Sequence, residues 1–321
     1  MSTFYFLIQN MLPVAIPLLL VALGGMFSER SGVINIALEG IMLFGAFFGA
    51  LFIFSIQDST INPQIMLVMG MIIAGISGLV YSLLLAYAAV NMKANQTITG
   101  TSMNMLIPAF ILLFAKMKFN SDGITTHINL YINEVPILSQ IPVIGDMFFK
   151  NTYLTVYIGI LILIISTIVL FKTKFGLRLR ACGEHPHAAD SVGINVYKMR
   201  YFGVGLSGIL AGIGGYFYSV GVMDSNVNGH TGVAGFGFLA LAVMIFGQWH
   251  PIKILFASLF FSFLTILAYS IPLIPFLDDL SINLTYYKML PYVATLIVLI
   301  FSSKKSRAPK AEGIPYDKGL R

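Results

Sequence analysis

Long apolar runs separated by short polar breaks dominate this chain. They fall at roughly 4–27, 33–56, 64–91, 95–115, 153–171, 200–221, 235–249, 252–273 and 286–302. A helix of about twenty apolar residues crosses the hydrocarbon core of a bilayer, so the pattern predicts nine spans. The fourth is polar and the seventh short, which widens the range to eight to ten. Runs of this length, rather than alternating ten-residue segments, exclude a membrane barrel. Helices also satisfy their own backbone groups where lipid offers no partner. The fold class is therefore an all-α polytopic membrane protein. Residues 1–302 form the transmembrane domain, and 303–321, polar and dotted with Pro and Gly, form a flexible tail.

Two interruptions stand out. Residues 172–200, KTKFGLRLRACGEHPHAADSVGINVYKMR, are the most polar stretch between spans. Within them Pro186 suits a first helical turn, Gly193 a stop, and Asn195 the cap of the next helix. Ala188, Ala189 and Val192 then share one face by their spacing. Two readings stand: a short helix with an apolar knob that docks on a soluble partner, or a basic loop that only fixes topology. Residues 117–152 are the longest break on the other side. Their second part, EVPILSQIPVIGDMFF, is apolar but interrupted by Pro136, Pro142 and Gly145, so it is no regular span and belongs at the outer interface.

Composition supports the membrane reading: 57% of residues are hydrophobic and 10% charged, against about a quarter charged in soluble domains. The net charge of +6 reflects orientation rather than nucleic-acid binding. With the 172–200 loop placed in the cytoplasm, Arg30, Lys93, the six Lys/Arg of that loop, Lys253 and six in the tail fall inside. Only Lys116, Lys118, Lys150 and Lys288 fall outside, together with the acids Asp58, Asp122, Glu134, Asp146, Asp224, Asp278 and Asp279. The positive-inside rule then puts the N-terminus outside and the C-terminus in the cytoplasm. The single cysteine, Cys182, excludes an internal disulfide and fits a cytoplasmic loop. The first residues lack the basic region of a cleavable signal peptide.

Candidate chemistry is sparse. Glu39 is the one acid placed within a span, with Asn35 one turn before it on the same face. Either the pair lines the pathway or fixes a broken helix there, or Glu39 is simply solvated or caps a helix near the cytoplasmic end. The fourth span opens ANQTITGTSMNML, too polar to face lipid. Thr97, Thr101 and Asn104 share one face and Gln96, Gly100 and Met103 another. These side chains either line a pathway for an uncharged polar solute or bond between helices. The glycine-rich DSNVNGHTGVAGFGF, 224–238, reads as a re-entrant element or a turn, with Phe236 and Phe238 as ring-stacking candidates. GVINIALEG from Gly32 and GVAGFGFLAL from Gly232 form a faint internal repeat, as in duplicated transporters. His230 and His250 lack metal-ligand spacing, and Trp249 reads as an interfacial anchor. The chain contains no P-loop, no HExxH and no nucleophile–base pair, so no cofactor is expected and the chain is not expected to be an enzyme.

ERSGVINIALEGIMLFGAFFGA (29–50) and FGLRLRACGEHPHAADSVGINVYKMRYFGVGLSGILAGIGG (175–215) resemble the permease subunits of bacterial ABC importers in the branched-chain amino acid/ribose/nucleoside group. ANQTITGTSMNML and VPILSQIPVIG are similar to its nucleoside, guanosine-type branch. The resemblance implies a type II fold like that of the vitamin B12 importers, with about ten helices in two pseudo-repeated halves and here a missing first helix. It implies that Gly183, Glu184, Pro186, Ala188, Ala189 and Gly193 belong to a coupling helix that docks on a separate cytoplasmic ATPase. It also implies a second, paralogous permease, an extracytoplasmic binding lipoprotein, a place in the bacterial plasma membrane and no nucleic-acid partner. Cys182, His185 and His187 depart from the family's pattern. Two alternatives lie within the group: a ribose or simple-sugar permease, and a branched-chain amino acid permease. Outside it stand a proton-coupled transporter using Glu39 and a membrane scaffold without transport.

Overall fold

The computed structural model describes residues 2–126, 130–136, 138–142, 144–223, 226–229, 233, 235–270, 289–302 and 307–319. Its helices are α1 (Ser2–Arg30), α2 (Leu38–Ile56), α3 (Pro63–Val90), α4 (Gln96–Phe119), α5 (Ile144–Phe148), α6 (Leu154–Lys172), α7 (Lys174–Glu184), α8 (Pro186–Ser191), α9 (Val196–Gly221), α10 (Phe236–Phe246), α11 (Pro251–Ser270) and α12 (Leu290–Ser302). Among the described residues seven of these, α1, α2, α3, α4, α6, α9 and α11, are long and apolar enough to cross a membrane. The expected seventh span is shorter than predicted, because α10 has 11 residues, a rise of about 16 Å. Asp224, His230, Asp278, Asp279, Lys288, Lys304, Lys305 and Arg321, used above, lie outside the described residues.

Helices α1 and α9 form the centre. The apolar window of α1 is 94% buried and that of α9 89%, against 28–39% for α3, α4, α6 and α11. Helices α2 and α3 pack on α9 from one side, and α6, α10 and α11 pack against α1. Lipid tails supply no hydrophobic drive between helices, so close backbone approach must do that work. Gly212 of α9 provides it: a Cβ there would strike the Ala74 carbonyl and sit 3.1 Å from the Gly78 Cα, while Gly45 of α2 has no room for a Cβ against Gly212.

The stretch expected as an irregular outer loop is folded. β1 (Gly123–Thr125) pairs antiparallel with β4 (Asn226–Asn228), and β2 (Tyr131–Glu134) with β3 (Lys150–Tyr153). The two ribbons adjoin the C-terminal ends of α4 and α9 and the start of α6.

At the basic end the tail departs from expectation. Residues 307–319 are not a free extension: Ala311 and Tyr316 are buried, and the segment packs on the helical body. Trp249 is also buried, at 4% exposure, and its Nε1 donates to Glu29 Oε2 at 2.5 Å. It is thus a structural contact rather than an interfacial anchor, and buried Glu29 joins half-buried Glu39 as an acid at a helix end. Gln248 and Trp249 both adopt left-handed backbone, a strained choice for an aromatic residue. Arg30 Nη2 holds the turn by donating to the Trp249 carbonyl at 3.1 Å. Burial pushes the Cys182 thiol up to about 11, with Arg200 acting the other way, so this cysteine is inert wherever the loop lies.

Arg200 is the largest fully buried side chain at 1% exposure, and none of its three guanidinium nitrogens has a hydrogen-bond partner among the described residues. An uncompensated buried charge costs about 3–5 kcal/mol. Arg200→Met keeps much of the volume and removes the charge, so it is expected to raise the unfolding midpoint of the purified protein, followed by Trp249 emission. A lowered midpoint would show that the guanidinium is paired.

Candidate functional site

The expected second span starts later than its apolar pattern suggested. Residues 31–37 are not helical, yet this break is buried or half-buried throughout. Non-helical backbone at that depth needs partners from protein, and the polar side chains singled out above supply them. Gln96 Oε1 accepts from the Ile34 N–H at 2.7 Å. Asn104 uses both ends of its amide: Nδ2 donates to the Ile36 carbonyl at 2.8 Å, and Oδ1 accepts from the Gly40 N–H at 2.7 Å. Asn35 Nδ2 donates to Ser207 Oγ of α9 at 2.8 Å. Within the break, Ser28 Oγ donates to the Val33 carbonyl at 2.7 Å. Glycine allows the approach: a Cβ on Gly100 of α4 would lie 3.0 Å from the Ala37 nitrogen.

Glu39, in the first turn of α2, faces a second helix start. Its Oε1 accepts from the Gly235 N–H at 2.9 Å and its Oε2 from the Gly237 N–H at 2.6 Å, with the Phe238 N–H adding a further bond. The carboxylate therefore caps α10 from outside that helix. Both features are favourable, because orphan donors and the positive end of the helix dipole converge on one anion. A Cβ on Gly237 would collide with the Glu39 backbone, so this residue type is required there. The two members of the faint repeat thus meet in space. One leads from the Gly32 break into α2, the other from Gly235, with φ +80, into the half-length α10.

The predicted lining residues fall into two groups. Asn35, Glu39, Gln96 and Asn104 are bound up in holding the break and the α10 start. Thr97 and Thr101 lie on the exposed face of α4 with Ser102 and Met105, and the Thr101 hydroxyl donates to the Thr97 and Ile98 carbonyls at 3.0 Å. Phe236 is not available for stacking on a solute: it is buried, with its ring centroid 4.3 Å from that of Tyr218. Phe238 remains 48% exposed. Sequence reasoning missed the N–H groups of Gly235 and Gly237. The repeat was the signal that contained them.

At the basic end, Pro186 opens α8 as its first residue and Gly193 follows it with φ +83 and open space around it. Asn195 caps α9, its Oδ1 accepting from the Lys198 N–H at 3.0 Å. The expected knob is split. Ala189 is 3% exposed and turned inward, whereas Ala188 is exposed and Val192 is 75% exposed. The short helix is followed by a residue outside helical geometry, so Val192 does not continue the i, i+3 row. Glu184 lies 3.7 Å from Arg30. A Cβ on Gly183 would press on the Arg30 carbonyl, which fixes α7 closely against the end of α1.

The sequence pattern of the family described as "Branched-chain amino acid transport system / permease component" matches residues 7–299. The chain belongs to this permease family. The permease is 44% identical over 313 residues to the guanosine ABC transporter permease protein NupQ of Bacillus subtilis, covering 96% of this chain and 95% of that one. It is 40% identical over 319 residues to the nucleoside ABC transporter permease protein NupC of Lactococcus lactis, covering 99% and 98%. The nucleoside ABC transporter permease protein NupB of the same organism is 26% identical over 261 residues, covering 77% of this chain and 68% of that one. No solved structure matches the permease.

Proposed function

We propose that this permease is one half of the membrane pathway of an ATP-driven nucleoside importer in the bacterial plasma membrane. Its basic end faces the cytoplasm and its N-terminus lies outside, as the charge distribution requires. A separate ATPase docks at α8, a second permease completes the pathway, and an extracytoplasmic binding lipoprotein delivers the solute. The fold is a type II importer permease with two related halves. The second permease draws support from Lactococcus lactis, where two distinct nucleoside permeases both resemble this chain.

The observation that carries the pathway is the Glu39-bridged meeting of two helix starts beside the exposed hydroxyl face of α4. Two helices that begin within the bundle leave a junction that can open on one side or the other, the arrangement transporters use at their binding sites. Exposed Thr97 and Thr101 of α4 offer hydroxyls, exposed Phe238 of α10 offers an aromatic ring, and no Lys or Arg lies in α4 before Lys116. A free amino acid would carry its carboxylate past this face without a cation, a costly desolvation. A nucleoside is neutral, offers ribose hydroxyls and presents a flat base. The names of the two relatives that match nearly the whole chain, for guanosine and for nucleosides, point to the same solute class.

The test is uptake of labelled guanosine in cells carrying the complete transporter, with and without this gene. Uptake is expected to be lost on deletion and inhibited by excess purine and pyrimidine nucleosides, with little effect of leucine or ribose. Unchanged guanosine uptake with lost ribose uptake would move the assignment to sugars. Uptake that survives ATP depletion but not an uncoupler would replace ATP coupling by a proton cycle through Glu39.

A further inference from the structure

Residues 307–319 touch α7, α8, the start of α9, the turn after α3 and the Gly32 break within one short stretch. The Ala311 N–H donates to the Gly183 carbonyl of α7 at 2.8 Å, and two residues later the Gly313 N–H donates to the Gly32 carbonyl at 3.2 Å. Tyr316, 3% exposed, has its ring centroid 5.1 Å from His187 of α8 and 5.3 Å from Tyr197 of α9. Lys318 Nζ lies 4.0 Å from Asp190 of α8, and Asp317 forms an ion pair with Lys93 just beyond α3. The Glu312 carboxyl interacts with that of Glu29, and Glu29 accepts from Trp249 Nε1.

These contacts have a direction. One set grips α7 and α8, the segment proposed to meet the ATPase. The other grips Gly32, which has φ +94 and opens the break that leads to Asn35, α2 and Glu39. Only one residue, Glu312, lies between the anchors at Ala311 and Gly313, a reach of at most about 7 Å. A link that short has no slack. Both anchors are backbone hydrogen bonds, so they hold regardless of side-chain rotamer. The turn between them is also specific. Gly313 has φ +76, and a Cβ there would lie 2.7 Å from Ile34 Cδ1. The Ala311 carbonyl and the Arg200 guanidinium both border Gly32, 3.4 and 3.0 Å from where its Cβ would be. Break, buried charge and tail form one cluster.

We propose that residues 307–319 are a tie that carries displacement of α8 to Gly32, and so positions the start of α2 and the Glu39–α10 junction. This rests on the reading of α8 as the ATPase-docking helix. The tie is a positioning device: none of its residues needs to touch solute or nucleotide. Removing it leaves the docking surface and the pathway in place but severs the mechanical route between them.

The test uses the complete transporter in proteoliposomes, with three permease variants: truncation before Arg307, Gly313→Val and Tyr316→Ala. Four quantities are measured: permease in the membrane, ATPase co-purified with it, ATP hydrolysed, and nucleoside taken up per ATP. The first three are expected to stay close to those of the unaltered complex. Uptake per ATP is expected to fall about fivefold or more for the truncation and Gly313→Val, the scale of a lost coupling between sites, and less for Tyr316→Ala. Undiminished uptake per ATP in the truncation and Gly313→Val would overturn the tie. If the truncated chain does not accumulate, the two point variants decide by the same ratio. An unaltered complex that holds no ATPase would overturn the docking reading itself, and the tie with it.

Discussion

Glu39→Ala is expected to abolish transport and to lower the stability of the permease together. Its two carboxylate oxygens serve the N–H groups of Gly235 and Gly237, and alanine leaves both donors without an acceptor. Each unmet buried donor costs about 1–3 kcal/mol. Helix α10 has 11 residues and a glycine, Gly235, as its N-cap, with no side chain to bond its first turn, so it has little of its own to hold that turn in place. Glu39→Gln separates the possible roles. The amide oxygen can still accept one N–H, but the NH2 group then points a donor at the other. The half-length helix should therefore stay docked with reduced transport, intermediate between glutamate and alanine. Initial uptake rates and the unfolding midpoint of each variant, measured on equal amounts of membrane protein, check this order. Full uptake by Glu39→Ala would remove the junction from the pathway. Complete loss in Glu39→Gln with an unchanged midpoint would point to a proton-carrying role instead of a structural one.

Much of this site was legible because membrane helices obey few rules. Apolar length found the long spans, and Glu39 stood out because an acid in such a run needs a reason. Asn35, Gln96 and Asn104 stand out for the same cause, and the structure places them in the helix-bonding role rather than along a free lining. The Gln96 and Asn104 amides serve backbone groups in and just after the 31–37 break, and the Asn35 amide bonds Ser207 of α9; nothing in an apolar pattern announces a break built largely of apolar residues. Val33, Ile34 and Ile36 read as helix because burial demands apolar side chains in a loop and a helix alike. The split between Ala189 and Val192 was hidden for a related reason: a row of i, i+3 positions holds only while the helix lasts, and α8 ends at Ser191, before Val192. The tail was misjudged by composition. Its polar residues suggested solvent, but its hold on the body comes from backbone N–H groups and a few well-placed residues such as Tyr316, and composition averages these away. Arg200 counted among the loop charges that set orientation. Its burial beside Gly32 depends on the tail that covers it, a contact between distant parts of the chain.

Ala188→Asp and Val192→Asp are expected to sever the ATPase while sparing the permease. Both residues are exposed in the chain alone, so a carboxylate at either is hydrated before assembly and costs the fold little. On docking, the same carboxylate would be buried without a partner. A penalty of about 3 kcal/mol, the lower end for a buried unpaired charge, weakens association more than a hundredfold. Ala189→Asp provides the contrast. At 3% exposure its carboxylate would be forced against the permease's own core. That variant should lose folded protein before it loses a partner. Purification through a tag on the permease, with the ATPase quantified in the eluate, distinguishes these outcomes. Ala188→Asp and Val192→Asp should elute as folded permease without ATPase, and Ala189→Asp in reduced yield. Normal ATPase recovery with both exposed variants would place the docking surface elsewhere on the basic end, and Leu177, 62% exposed on α7, would be the next apolar residue to test.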